Sequence, residues 1–196
     1  MAVFRTISNS SEAEYKENKS RFLAFAYPIK DVNDVKSLID NLKTKYFDAR
    51  HHTFAYKIGY ENPSIRTFDD REPNHTAGDK ILSAIESEGL TDVLVVVVRY
   101  FGGIKLGAAN LGKAYREAAY QSLHSANQID FTPRLSLSFN FPFSQMAAVN
   151  KFLNEYKFTK ETYKYLSANQ IELRVEQENL QKYKDILSEI HGIELL

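Results

Sequence analysis

Hydrophobic and polar positions along the 196-residue chain change period several times, and each change marks an element. Ser20 to Ile29 alternates and is rich in aromatics, which predicts a strand. Asp31 stands as a cap before Val32, Val35, Leu38, Ile39, Leu42 and Tyr46, whose spacing predicts a helix. His52 to Gly59 and Ile65 to Asp70 read as a strand pair, turned at Glu61-Asn-Pro-Ser. Gly78 to Gly89 puts Ile81, Leu82 and Ile85 on one helical face, with Gly89 as its C-terminal cap and Thr76 placed to cap its start. The run Leu94-Val-Val-Val-Val predicts a buried strand. A long helix to about Asn127 follows, its inner side formed by Leu111, Ala114, Tyr115, Ala118 and Ala119.

Asn127 to Pro133 reads as a linker, and the pattern restarts beyond it. Arg134 to Phe141 is a half-buried strand, and Ser144 to Tyr156 is a helix with Met146, Val149 and Leu153 on one face. Phe158 to Tyr165 and Gln170 to Val175 are two strands separated by a turn at Ser167-Ala-Asn. Leu180, Tyr183, Ile186, Leu187 and Ile190 mark a second helix. Gly192 ends it before a short last strand, Ile193 to Leu196. The order β-α-β-β-α-β is that of a ferredoxin-like domain. The fold class is therefore α+β, in two domains, 1–128 and 133–196.

Composition excludes several functions. The 43% hydrophobic and 26% charged content is that of a globular protein able to bury a core. The formal net charge is zero, and cutting after Asp130 leaves both parts balanced. No global field draws the chain to nucleic acid, so any such affinity is local and salt-sensitive. The absence of cysteine rules out disulfides, thiolate nucleophiles and Cys-ligated zinc. The first residues lack the apolar segment of a signal peptide, and the longest apolar run, Val93 to Val98, is too short for a bilayer. A cytoplasmic location with no membrane contact is expected.

Chemistry concentrates in two places. The first is the stretch from Leu94 to Gly107, where the apolar run ends in Arg99-Tyr-Phe-Gly-Gly-Ile-Lys-Leu-Gly and enters a helix. A Gly-rich loop at a helix start offers backbone N–H groups and a positive dipole end to an anion. No acidic residue lies between Val93 and Arg116. The loop is neither a Walker P-loop nor a dinucleotide fingerprint, and glycines after a buried strand also serve turn geometry alone. The candidate phosphate-binding set is Lys19, Arg21, Arg99, Tyr100, Phe101, Gly102, Gly103, Lys105, Lys113 and Arg116, the bases neutralising phosphate and the aromatics stacking on unpaired bases. The second set is polar: His51, His52, Asp69, Asp70, Glu72 and His75. Such groups suit a divalent ion or acid–base chemistry, but adjacent strand residues point to opposite faces, which separates His51 from His52. Asp-Asp-x-Glu-Pro is also a natural turn and helix entry. No Gly-x-Ser-x-Gly elbow is present. In the second domain Lys160 and Lys164 fall on one strand face, which reads as solvated.

Four segments, Lys19-Ser-Arg-Phe-Leu-Ala, His51-His-Thr-Phe-Ala-Tyr, Asp69-Asp-Arg-Glu-Pro-Asn-His-Thr-Ala-Gly78 and Val97-Val-Arg-Tyr-Phe-Gly-Gly-Ile-Lys-Leu-Gly107, occur in one order that resembles the Impact / YigZ family, in particular its bacterial two-domain members. The resemblance is carried by residues 1–125. It implies a first domain similar to the left-handed βαβ domain of a ribosomal protein and of elongation factor G domain IV, and a second similar to domain V of that factor. Those domains contact RNA in the ribosome, so the resemblance implies an RNA or ribosome partner and a role in translation; a protein partner is a separate expectation. The eukaryotic Impact protein acts on translation through a kinase pathway but has a further N-terminal domain, so that part is not transferred. Arg71 and Lys80 depart from the family pattern, which favours Gly and Pro there. Arg71 argues against a positive-φ turn, and both add positive charge. No cofactor or resident metal is expected. The alternatives are a metal-dependent hydrolase using His52, Asp70 and Glu72, and a protein-interaction module.

Overall fold

The computed structural model describes residues 3–196, which form two compact units, Phe4–Phe131 and Thr132–Leu196, the latter with Val3. The first contains β1 (Phe4–Ile7), β2 (Ser11–Glu17), β3 (Ser20–Pro28), α1 (Val32–Lys45), β4 (His51–Ile58), β5 (Ser64–Phe68), α2 (Gly78–Ser87), β6 (Val93–Tyr100), α3 (Ala108–Ser125) and β7 (Gln128–Phe131). Five strands form one sheet in the order β2-β3-β6-β4-β5, and β1 pairs with β7 in a separate ribbon.

β6 lies at the centre, antiparallel to both β3 and β4. Its alternation serves two cores. Val93, Val95 and Val97 pack with α2 and α3, while Leu94, Val96 and Val98 pack with α1. Helices on both faces explain why the strand is apolar throughout rather than alternating. All six side chains are fully buried, each worth about 1.5–3 kcal/mol against exposure. Ala114, Ala118 and Ala119 of α3 meet Ala24, Ala26 and Ala55 of the sheet in one cluster, and these small side chains let helix and sheet approach closely. Asp31 caps α1 by accepting from the Asn33 amide at 2.8 Å. α2 ends at Gly89, φ +65°, with Leu90 N–H bonded to the Ile85 carbonyl and Gly89 N–H to that of Glu86, a Schellman closure.

Three strands of this unit are not predicted from the sequence. β2 exposes Glu12, Glu14 and Lys16 and half-buries Ala13 and Tyr15, an edge strand with only a weak apolar face. β1 and β7 have four residues each, and β7 occupies the segment read as a linker.

The second unit contains β8 (Arg134–Asn140), a short 3₁₀ turn (Phe143–Gln145), α4 (Met146–Glu155), β9 (Tyr163–Ser167), β10 (Gln170–Glu176), α5 (Gln177–Ser188) and β11 (Glu194–Leu195). The all-antiparallel order β11-β8-β10-β9 is the ferredoxin-like arrangement. Leu137, Phe139, Ile171, Leu173 and Val175 form the core with both helices. β9 starts later than its pattern suggests, because Thr159 and Thr162 close a turn through the Thr162 Oγ1 and the Thr159 carbonyl. Lys160 lies in that turn and does not share a strand face with Lys164, which pairs with Glu172 at 2.7 Å.

Candidate nucleic-acid interface

Strand parity places Arg99 with Val95 and Val97, on the face covered by α2 and α3. Arg99 is buried, and its Nη1 donates to Glu72 Oε1 at 2.6 Å. The Tyr115 hydroxyl donates to the same oxygen at 2.6 Å, and His51 Nε2 lies 3.8 Å from it. Burial, then the Glu72 charge, pushes the Tyr115 phenol well above its usual range. Arg99 is thus an interior ion-pair partner, not a surface phosphate contact. Its guanidinium also stacks under Phe22 and Phe101, at 5.4 and 5.6 Å.

The segment from Asp69 to Ala77 is held at several points. The Asp69 carboxylate accepts from the amides of His75, Ala77 and Gly78 at 2.8–3.0 Å, so it caps α2. Thr76 does not; its hydroxyl donates to the Pro73 carbonyl at 2.6 Å. Asp70 Oδ2 accepts from the His52 amide at 2.7 Å, and the Asp70 carbonyl accepts from His51 Nδ1 at 2.8 Å. Asp70 and Arg71 adopt φ of +40° and +67°. The positive-φ turn that Arg71 argued against is present, bridged by these bonds despite its Cβ. His51 and His52 do face opposite sides, since His51 pairs with Arg99 and His52 with Val98. The imidazole of His52 is buried on the α1 face with Nε2 unpartnered, and burial pushes its pKa down. His52 and Glu72 therefore lie on different sides of the sheet, which overturns the hydrolase constellation of His52, Asp70 and Glu72. Among the described residues no three His, Asp or Glu side chains are grouped to hold a metal ion.

The loop from Phe101 to Gly107 divides its roles. A Cβ on Gly102 would lie 2.1–2.4 Å from the backbone of Lys19 and Ser20, so this glycine exists for close approach to the β2–β3 turn. That turn is made by Asn18 and Lys19, both at positive φ. Gly103 and Gly107 have φ of +87° and +75°. Gly107 is the N-cap residue of α3 and brings no side-chain acceptor to its first turn. Tyr100 donates its hydroxyl to Asp48 at 2.7 Å, which pushes its pKa up to about 12. Arg21 lies over the Tyr100 ring and is paired to Glu14 at 2.6 Å. Neither Tyr100 nor Arg21 is free. Phe101 and Ile104 are 46% and 47% exposed.

Of the remaining cations, Lys113 and Arg116 line a groove of about 430 Å³ between the starts of α2 and α3. His75, Thr76 and Lys80 form one wall, and Ala108, Ala109, Gly112, Lys113 and Arg116 the other. The stem of Lys80 lies 3.2–3.6 Å from where a Cβ of Gly112 would stand. The Asp79 carboxylate, next to Lys80 in the chain, is committed to His75 at 2.5 Å and to Thr67 at 3.0 Å, and the His75 bond holds its pKa down. Lys19, Lys80, Lys105, Lys113 and Arg116 are exposed and make no ion pair among the described residues. Lys80 belongs to this wall although it stood outside the predicted set; its signal was the extra positive charge beside the acidic motif.

Comparison with known proteins follows the same outline. The Impact N-terminal domain matches residues 18–123. An IMPACT family member from Thermus thermophilus is 38% identical, covering 69% of this chain and 72% of its own. The IMPACT family member YigZ of Escherichia coli is 31% identical, covering 70% and 68%. A crystal structure of a hypothetical protein, 24% identical, superposes with a TM-score of 0.74 over 100% of this chain and 97% of its own, a likeness of fold. Matched over more than half its length by that domain, and alignable with such relatives over most of both chains, the protein belongs to the Impact family.

Proposed function

We propose that this protein associates with RNA or the ribosome and influences translation, holding phosphate backbone at the α2–α3 groove and the adjoining loop. The observation that carries this reading is the set of unpaired cations, Lys80, Lys113 and Arg116, lining a groove whose α3 wall includes the small residues Ala108, Ala109 and Gly112, with unpaired Lys105 on the loop that leads into α3. Lys113 and Arg116 stand three residues apart on one helix face, where like charges repel by a few tenths of a kcal/mol. A phosphate between them relieves that repulsion. The small residues of that wall let an oxygen come close to the first turn of α3, whose amides favour an anion. Phe101, half exposed beside the loop, offers a face for a base. The resemblance of the family to elongation-factor domains that contact RNA supports the same partner class. Among the described residues no helix is long and apolar enough to cross a membrane.

The test is a titration of labelled single-stranded and duplex RNA across a salt series. Single-strand affinity falls with salt by about 0.7 logarithmic units per phosphate neutralised. Lys113→Ala with Arg116→Ala is expected to weaken binding similarly for all sequences and to flatten the slope by about 1.4. Absence of wild-type binding at low salt, or an unchanged slope in the double variant, removes the reading.

A further inference from the structure

The two edges of the five-stranded sheet are treated differently. β2 carries outward charges at Glu12, Glu14 and Lys16, which discourage another strand from adding there. β5, Ser-Ile-Arg-Thr-Phe, carries one charge, and none of its five residues is buried. Its outer side pairs with no strand among the described residues. Ile65 and Phe68 are 44% and 40% exposed. The register Phe54↔Phe68 and Tyr56↔Arg66 turns Arg66 and Phe68 toward the α1 face. There the helix stops short of the edge, leaving a groove of about 420 Å³ between Val32, Lys36 and Lys43 on one side and Arg66 and Phe68 on the other. Phe54 and Tyr56 form its buried floor. Lys36, Lys43 and Arg66 make no ion pair among the described residues, and Asp40 is the one carboxylate on the lining.

We propose that this edge and groove dock an acidic segment of a protein partner, added to β5 as an extended strand. The backbone row of β5 asks for another backbone, which phosphate does not supply. Alternate residues of an added strand face one side. One apolar side chain would therefore sit against Phe68 and Phe54, whose rings are 5.4 Å apart, with an acidic residue two positions away against Arg66 and others within reach of Lys36 and Lys43. The pattern recognised is acidic-x-apolar-x-acidic. This surface lies on the α1 face, and the cations of the α2–α3 groove lie on the other, so the two sites are independent.

The experiment uses the full chain, isotopically labelled, and a ten-residue peptide in which Glu and Phe occupy alternate positions between threonines. A Lys-for-Glu version serves as control. The expected result is that amide shifts concentrate at Ser64–Phe68 and along α1, with the Lys version binding at least tenfold more weakly. Arg66→Glu, an exposed change whose folding is checked by the unperturbed remainder of the spectrum, should weaken the Glu peptide at least tenfold and strengthen the Lys peptide. The Lys36→Glu, Lys43→Glu pair should act in the same direction. Equal binding by wild type and Arg66→Glu overturns the proposal. So do shifts confined to Lys80, Lys113 and Arg116, shifts at β5 produced by RNA instead, or concentration-dependent pairing of β5 with a second copy of this chain.

Discussion

Glu72 shows how one side chain reorganises the meaning of two motifs. A single carboxylate oxygen takes hydrogen bonds from Arg99 and Tyr115 and faces His51. Removing one partner of a buried pair leaves a bare charge, a loss of about 3–5 kcal/mol. Glu72→Ala is expected to lose that much in urea denaturation, while Glu72→Leu combined with Arg99→Met should recover most of it. A loss under about 1 kcal/mol in the single variant would mean that water replaces the carboxylate. That Arg99 faces inward was not legible, because the run before it is apolar on both faces and its parity marks neither as inner. Nor was its partner, because Glu72 is 27 residues away and no local rule links them. His52 is the other residue with a measurable signature. Its pKa is lowered by burial, so the unfolded chain binds the proton more readily than the folded one. Stability due to this group is full above the ordinary value of 6.5 and declines as pH falls below it toward the depressed folded value. Thermal melts of His52→Leu across pH 5 to 8 should show a shallower acid decline than wild type; identical slopes would assign the decline to other groups.

Elements with two buried faces or a full amphipathic period are the ones readable from sequence. β6, α1 and α3 appear where the apolar pattern puts them, and α2 ends at the glycine that its pattern indicates. β1, β2 and β7 escape because each packs weakly on one side or is only four residues long. The same reasoning divides the glycine pair after β6. Gly103 needs a left-handed backbone, but Gly102 needs absence of a side chain, since the β2–β3 turn passes across it. That requirement comes from a hairpin the sequence did not reveal. Gly102→Ala is expected to cost about 1–3 kcal/mol by overpacking, with amide shifts spreading from the loop to Asn18, Lys19 and Ser20. Shifts limited to residues 101–107 would refute that account of Gly102.

For the whole molecule, neutrality conceals a sorted surface. Arg21 and Arg99 belonged to the predicted binding set, yet both spend their charge internally, on Glu14 and Glu72. Lys80, Lys105, Lys113 and Arg116 do not, and the gathering of Lys80, Lys113 and Arg116 at one groove produces a local field in a chain of zero net charge. Association driven by such a patch decays within about 8 Å at physiological salt, so it acts on contact rather than by long-range attraction. The resemblance in four motifs anticipated the two-unit α+β fold, but motif order does not show which cations are paired. That depends on tertiary neighbours, which for Arg99 and Tyr100 lie 27 and 52 residues away.

The β1–β7 ribbon has a consequence for how such a unit travels between proteins. Phe4 pairs with Phe131, so the chain enters and leaves the first unit at one spot. A few turn residues joining 131 to 4 would close the unit into a ring, and the exposed tip at 61–62 would serve as a new opening. A module whose ends are neighbours can be spliced into a host loop without stretching either party. The short ribbon thus works as a clasp that makes the domain portable.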